Sequence, residues 1–503
     1  MDKFLRFITN RITIVGILIL LQLFVFGFLI LSASQYAKPI LYTLEILSFM
    51  VVFFVLVSNE QLIYKIAWII PILIAPIFGG FFFILFKQHK LSNKTYKRFN
   101  DLNSKRQTAL APFMGEVPID DPFIQKQIKH LNADHWPVFT HTKVTFIPSG
   151  EVKLIRLLET LERAQSFIFI EYFIINLGQV WDQVFEILQR KVKNGVKVIV
   201  MYDDFGSSPN LPNHFDKDLR KAGIEVVQFN PMKPRINLSM NYRDHRKMVI
   251  VDGKIGITGG MNLADEYMNL IKRFGHWQDA SIMLEGRAVY ALTQTFLQTY
   301  RYYAKHDHDI HYDQTYDMPS DGYIIPFSDS PLDKNHVTKH AYMQMIQYAK
   351  KRIIITTPYF IIDQELQTAL ILAATSGIRI DIIIPGIPDK KYVAIVSEHY
   401  YQLLLSVPNV YIHKYTKGFI HSKILYVDDE VSTVGTTNFD FRSLYLHFEN
   451  TVWLYQSSAL KDIYQYLDES MKSSELVSLS DLKKRNILFR LYQQALVGFS
   501  HLL

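Results

Sequence analysis

Two stretches of this chain repeat one another: "HRKMVIVD" from residue 245 and "HSKILYVD" from residue 421 both read His-x-Lys-x-x-x-x-Asp. Residues two apart on a strand project from the same face, so His245 stands beside Lys247, and His421 beside Lys423. A tight turn closes each run. Asp252 and Gly253 suit a type I′ geometry, and the second copy turns through Asp428 and Asp429. Each returning strand leads to a bend of small residues and an asparagine, at Gly259, Gly260 and Asn262 in the first copy and at Gly435, Thr436 and Asn438 in the second.

The flanks repeat too. "SFIFIEYFII" predicts a buried strand, "QVWDQVFEILQRKVKNG" an amphipathic helix closed by Gly195, and "VKVIVMYDD" the next strand. The second half has "RIIITTPYFII", "QELQTALILAATSG" and "IRIDIIIPG" in the same order. Strand, helix and strand in succession are the grammar of an α/β fold, and their recurrence with the same unusual side chains indicates internal duplication. The expected architecture is N-terminal transmembrane helices followed by two duplicated α/β halves that share one active site. Boundaries are expected at 1–87 for a membrane anchor, 88–135 for a basic juxtamembrane linker, 136–315 for the first half and 316–503 for the second.

The anchor is read from apolar runs. Ile12 to Ala37 gives 26 residues without a charge and Ile66 to Phe86 gives 21, each enough to cross a hydrocarbon core of about 30 Å as a helix. A third run, Ile40 to Ser58, carries Glu45 near its start, which leaves two and three spans both open. Lys3, Arg6 and Arg11 precede the first run in the manner of a signal peptide, but its length and the lack of an Ala-x-Ala site favour a retained anchor. Between Lys87 and Arg106 seven Lys or Arg stand against one Asp, so the positive-inside rule puts the following domain in the cytoplasm of a multi-pass protein of the cell membrane. The C-terminal "LKKRNILFRLYQQALVGFSHLL" reads as an amphipathic segment, either lying on a membrane surface or packing as a terminal helix.

Composition narrows the chemistry. The chain has 503 residues and no cysteine, which excludes disulfides, thiolate metal sites and cysteine nucleophiles. Its net charge of +7 points to an anionic partner, and the apolar runs favour a lipid surface over nucleic acid. A metal at the histidines is disfavoured because a charged lysine beside each would repel a cation and has no lone pair to give. Two identical His-Lys pairs instead describe a positively charged phosphate pocket, with Lys247, Lys423, Asn262 and Asn438 supplying the field. No cofactor is expected.

The two hairpins, with their downstream asparagines, resemble the HxKxxxxD motifs of the phospholipase D superfamily. "AWIIPILIAPIFGGFFFILF", "LLETLERAQSFIFIEYFI", "NYRDHRKMVIVDGKIGITGGMN" and "KGFIHSKILYVDDEVSTVGTTNFDFRSLYLHFEN" extend the resemblance to the bacterial cardiolipin synthases over nearly the whole chain. One segment departs from that pattern: "GHWQDASIMLEG" has Gln278 and Ser281 where the family has Arg and His.

The resemblance implies phosphatidyl transfer between two phosphatidylglycerol molecules, giving cardiolipin and glycerol. His245 is then the nucleophile that becomes phosphohistidine, and His421 the acid and base, although the symmetry allows the roles to be exchanged. Lys247, Asp252, Lys423 and Asp428 complete the catalytic motifs, with Asp252 and Asp428, seven residues from their histidines at the turns, placed either to serve the site or to hold the hairpins. Each imidazole needs a carboxylate to fix its tautomer. Glu449, 28 residues after His421, occupies the family's position for that histidine, and Asp279, 34 after His245, is the first-half candidate. Hydrolysis of phospholipid to phosphatidic acid uses the same pocket, and an inactive lipid-binding scaffold is the rival from another class. Both motifs lie in one chain, so a complete site does not require a dimer.

Overall fold

The structure is a computed structural model describing residues 37–58, 62–74, 79–80, 83, 93–231, 242–304, 316, 318–333 and 335–500. Contacts divide the chain into one unit of 1–91, 232–241 and 494–503 and another of 92–231 and 242–493.

In the first unit, helices Ala37–Val57 and Leu62–Ile74 pack through Val52, Val55, Trp68 and Ile72. Among the described residues no helix is long and apolar enough to cross a membrane. The apolar run from Ile12 lies outside the described residues except for Ala37.

Among the described residues the second unit holds two large β-sheets and two short strand pairs. The first is built from Thr142–Ile147 (β1), Phe167–Tyr172 (β2), Lys197–Asp203 (β3), Glu225–Phe229 (β4), Lys247–Val251 (β5), Ile255–Gly259 (β6) and Ser281–Gly286 (β7), in the order β1-β7-β6-β5-β2-β3-β4. The second is built from Tyr323–Asp329 (β8), Arg352–Thr356 (β9), Arg379–Pro385 (β10), Val410–Tyr415 (β11), Ile424–Val427 (β12), Val431–Gly435 (β13) and His447–Tyr455 (β14), in the order β8-β14-β13-β12-β9-β10-β11. Adding seven to every label of the first order gives the second. The parallel or antiparallel sense also matches at each step. The duplication expected from the sequence is therefore present in the topology, and an edge strand, Ser474–Leu476 (β15), extends the second sheet.

Local sequence explains the elements between them. Helix Gln179–Lys193 buries Val180, Trp181, Val184, Ile187 and Leu188, a stripe at helical spacing, and Asp265 caps it by accepting from the Gln179 and Val180 amides at 3.0 and 2.9 Å. Helix Val289–Tyr303 packs against strands of both sheets and is buried along most of its length, with Phe296 stacked on Phe169 at 4.6 Å. The segment expected as a linker is largely structured: helix Asn93–Leu110 buries Phe99 with Phe229 and Phe448, and Gln127 of helix Pro122–Ala133 accepts from the Trp453 indole at 3.0 Å. Its apolar residues stand at helical spacing among the lysines, so the basic charge covers only one side of packed helices.

Asp252 and Asp428, grouped with the catalytic residues on their motif, belong to the scaffold. Seven residues of strand at about 3.3 Å each put them at the far end of the hairpin from the histidines. Both take positive φ, 53° and 55°, as the turns require. The Asp252 carboxylate accepts from the amides of Gln165, Ser166 and Phe167, each at 2.8 Å, and Asp428 accepts from those of Lys350, Lys351 and Arg352. Each aspartate thus ties its turn to the start of the neighbouring central strand. Asp252→Ala should lower unfolding stability by about 2–4 kcal/mol, since several charge-assisted bonds are lost together, while Asp252→Asn, which keeps one acceptor oxygen, should lose less. Denaturant midpoints of the two variants check this, with turnover per folded molecule retained in the Asn variant.

Candidate active site

The two histidines are placed by short strands that cross between the halves. Arg243–Asp244, just before His245, runs parallel to His447–Phe448 at the start of β14, and Gly418–Ile420, just before His421, runs parallel to His276–Gln278. The pairing continues into the motifs, with the His245 amide donating to the Phe448 carbonyl at 2.9 Å and the His421 amide to the Gln278 carbonyl at 2.7 Å. At Gly418 a side chain would stand 2.2 Å from the His276 carbonyl oxygen, so only glycine permits this approach.

The crossing exchanges the carboxylates. His245 Nδ1 lies 2.9 Å from Glu449 Oε1, and His421 Nδ1 lies 2.7 Å from Asp279 Oδ2. Each histidine is therefore held by the acid of the opposite half, which corrects the pairing within halves expected from sequence spacing. The physical reason is the parallel crossing strands: the residue after each strand meets the residue after its partner. Gly260 leaves room for this, because a Cβ there would lie 2.2 Å from Asp279 Oδ1.

His421 Nδ1 also has Lys423 Nζ at 2.9 Å. One ring nitrogen cannot donate to a carboxylate and accept from an ammonium together. The shorter carboxylate contact sets the Nδ1–H tautomer and leaves Nε2 with a lone pair, while Lys423 donates to the His421 carbonyl, as Lys247 does to that of His245.

The cluster is almost fully buried: His245 and His421 are 8 and 6% exposed, Lys247 and Lys423 0 and 1%, and both carboxylates 0%. Burial pushes the His421 imidazole down to about 4 and the Lys247 and Lys423 ammoniums down to about 7 and about 8. Burial followed by the charges of Lys247 and Lys423 also holds His245 well below its usual value. For Asp279 burial acts upward, but Lys423 and His421 outweigh it and the net shift is downward. The pocket therefore concentrates groups whose charged forms are poorly solvated, and an anion is the partner that would relieve them.

Asn262 accepts from the Ile174 amide through Oδ1 at 3.0 Å. Asn438 donates to Asp440 Oδ2 at 3.1 Å, which ties its amide nitrogen to a carboxylate. Residues that the motifs did not reveal surround the histidines. The Phe173 ring lies 5.1 Å from His245, and those of Tyr267 and Trp277 lie 5.6 and 5.2 Å from His421. His447 brings a third imidazole to Glu449, with Nδ1 3.5 Å from Oε1, and Thr436 donates to the same carboxylate. Its position two residues before Glu449 on one strand was the available signal. His245, His447 and Glu449 place three metal-capable atoms within 4.8 Å of one another, and the adjoining lysines oppose a cation there.

Comparison with known proteins agrees with this geometry. The family described as "Cardiolipin synthase, PLD-like domain" matches residues 157–296 and 342–473. A cardiolipin synthase from Geobacillus sp. is 32% identical, covering 94% of this chain and 97% of its own, and one from Alkalihalophilus pseudofirmus is 31% identical, covering 90 and 91%. An uncharacterized protein of Streptococcus mutans is 38% identical over 85% of this chain and 94% of its own. The crystal structure of phosphatidylserine synthase from Haemophilus influenzae superposes with a TM-score of 0.60 at 14% identity, covering 76% of this chain and 98% of that one, a likeness of fold. With both motifs in one pocket and matches across both halves, this chain belongs to the cardiolipin synthase family of phospholipase D-like proteins.

Proposed function

We propose that this protein is a cardiolipin synthase that transfers a phosphatidyl group from one phosphatidylglycerol to the hydroxyl of another at the membrane surface. The observation that carries the reading is the buried pair of carboxylate-held imidazoles, each beside a lysine, in a family whose named members are cardiolipin synthases. The donor's phosphodiester binds between the lysines. His245 Nε2 attacks phosphorus, the bond from phosphorus to the departing glycerol oxygen breaks, and His421 gives that oxygen its proton. The acceptor hydroxyl then returns a proton to His421 and attacks phosphorus, and the phosphorus–nitrogen bond breaks to restore His245. The bound phosphate anion favours the imidazolium that the first step needs, offsetting the burial that lowers the basicity of His421.

Membrane attachment is part of the same proposal. The N-terminal apolar runs serve as the anchor of a multi-pass protein with a cytoplasmic catalytic unit, and helix Ile487–Val497 leaves Ile487, Leu488 and Leu491 exposed at 67, 74 and 61%, an apolar face suited to lipid.

Purified protein with labelled phosphatidylglycerol in mixed micelles should yield cardiolipin and glycerol. His245→Ala should abolish turnover, and Lys423→Ala should lower kcat by about 100- to 1000-fold, the usual consequence of losing one donor to transition-state charge. Phosphatidic acid as the sole lipid product of the wild type would instead identify a hydrolase.

The lysines also set a pH dependence. Both lose protons as pH rises through about 7 and about 8 in the free enzyme. kcat/KM, which reports free-enzyme groups, should therefore fall by about tenfold per unit between pH 7 and 8 and about a hundredfold per unit above pH 8, and an alkaline limb that persists unchanged in Lys247→Ala and Lys423→Ala would assign the titration elsewhere.

A further inference from the structure

A cavity of about 270 Å³ in the second half has an apolar lining that includes Tyr359 and Ala394, with Lys390, Lys391 and Lys414 at its edge. None of the three lysines has a carboxylate at ion-pair distance among the described residues, whereas Arg485, also on the wall, is neutralised by Glu398 at 3.0 Å. The cavity adjoins the His421 side of the active site. Tyr359 packs on the cluster containing Tyr267, Trp277 and Phe419, and the rings of all three lie within 5.6 Å of His421. Asp389 accepts from the Tyr359 hydroxyl at 2.6 Å, and its second oxygen is buried without a hydrogen-bond partner. Lys390 holds its ammonium 5.3 Å from the Tyr359 ring centre, and its charge reaches as far as His245.

We infer that this cavity binds the acceptor lipid, a glycerol phosphodiester with an acyl tail. The inference rests on the transferase reading above, which requires two lipid phosphates near one another: one on the histidines, and one a three-carbon glycerol bridge away. Lys390 and its neighbours supply the second cationic site beside the group that deprotonates the acceptor. The unpartnered Asp389 oxygen accepts from the glycerol hydroxyl that does not react, as a buried acceptor requires. The apolar lining takes the start of a chain, and the helix that contributes Phe489 to the wall is the one with exposed Ile487, Leu488 and Leu491, so the cavity lies next to an apolar surface through which a lipid could enter. When no acceptor is held there, water takes the acceptor's place at the covalent intermediate, so loss of this site diverts transfer to hydrolysis.

The test separates the half-reactions in the full-length protein. Labelled phosphatidylglycerol is used to measure covalent adduct formation after an alkaline quench, and the division of product between cardiolipin and phosphatidic acid. In Lys390→Gln/Lys391→Gln, and separately in Ala394→Trp, which fills the cavity, the ratio of cardiolipin to phosphatidic acid should fall by about tenfold or more, the change expected for a lost charge-assisted contact, while adduct still forms. Lys390→Arg should keep the ratio near that of the wild type. Adduct formation falling in parallel with cardiolipin would assign the cavity to the donor, and an unchanged ratio would show that no lipid binds there. Either overturns the inference. Wild-type protein that forms adduct yet yields only phosphatidic acid refutes the transferase reading itself, a failure visible before any variant is made.

Discussion

The reciprocal crossing of two short strand pairs is the constraint on which the site depends. Arg243–Asp244 beside His447–Phe448, and Gly418–Ile420 beside His276–Gln278, fix backbone against backbone at the points where the histidines and their acids begin. Backbone pairing is stiff, so two imidazoles contributed from opposite halves keep their hydrogen-bond geometry without relying on long side chains. The same crossing makes each half useless alone: neither contains both a histidine and the carboxylate that orients it.

Electrostatics follow from the same packing. Two lysines, two histidines and two carboxylates sit where water is nearly absent, and desolvation is the first influence on every shifted group among them. A pocket of this kind is destabilised when empty and satisfied by a phosphodiester, so part of the substrate's binding energy is directed at the reacting centre. The aromatic rings around His421 and Phe173 beside His245 keep solvent out, and this raises the worth of each remaining contact. On the proposed reading, the cationic cavity beside the His421 side of the site gives the same machinery a way to favour a hydroxyl over water.

Much of this was legible in the sequence, because the duplication repeats rare side chains rather than common ones. The strand, helix and strand succession, the turns at Asp252 and Asp428, and the confluence of His245, Lys247, His421 and Lys423 all follow from spacing. The carboxylate pairing did not, since spacing along one strand says nothing about a parallel partner 204 residues away for His245 and Glu449. Asp252 and Asp428 recur with the histidines in the motif yet sit seven residues away at the turns, since a motif marks residues that recur together, whether they touch the reacting atoms or brace the turn. The cavity around Tyr359 and Lys390 carries no motif. It is assembled from three strands, the loops beside them and two helices, and only the fold brings them together.

The most direct test of the account is to map the covalent intermediate. Protein mixed with phosphatidylglycerol is quenched in alkali, digested, and the phosphatidyl-modified peptide located by mass spectrometry, in the wild type and in Glu449→Gln. The account predicts the modification on His245 and its loss in the variant, although Glu449 lies in the other half of the chain. Modification on His421, or on His245 at undiminished rate without the Glu449 carboxylate, would contradict it.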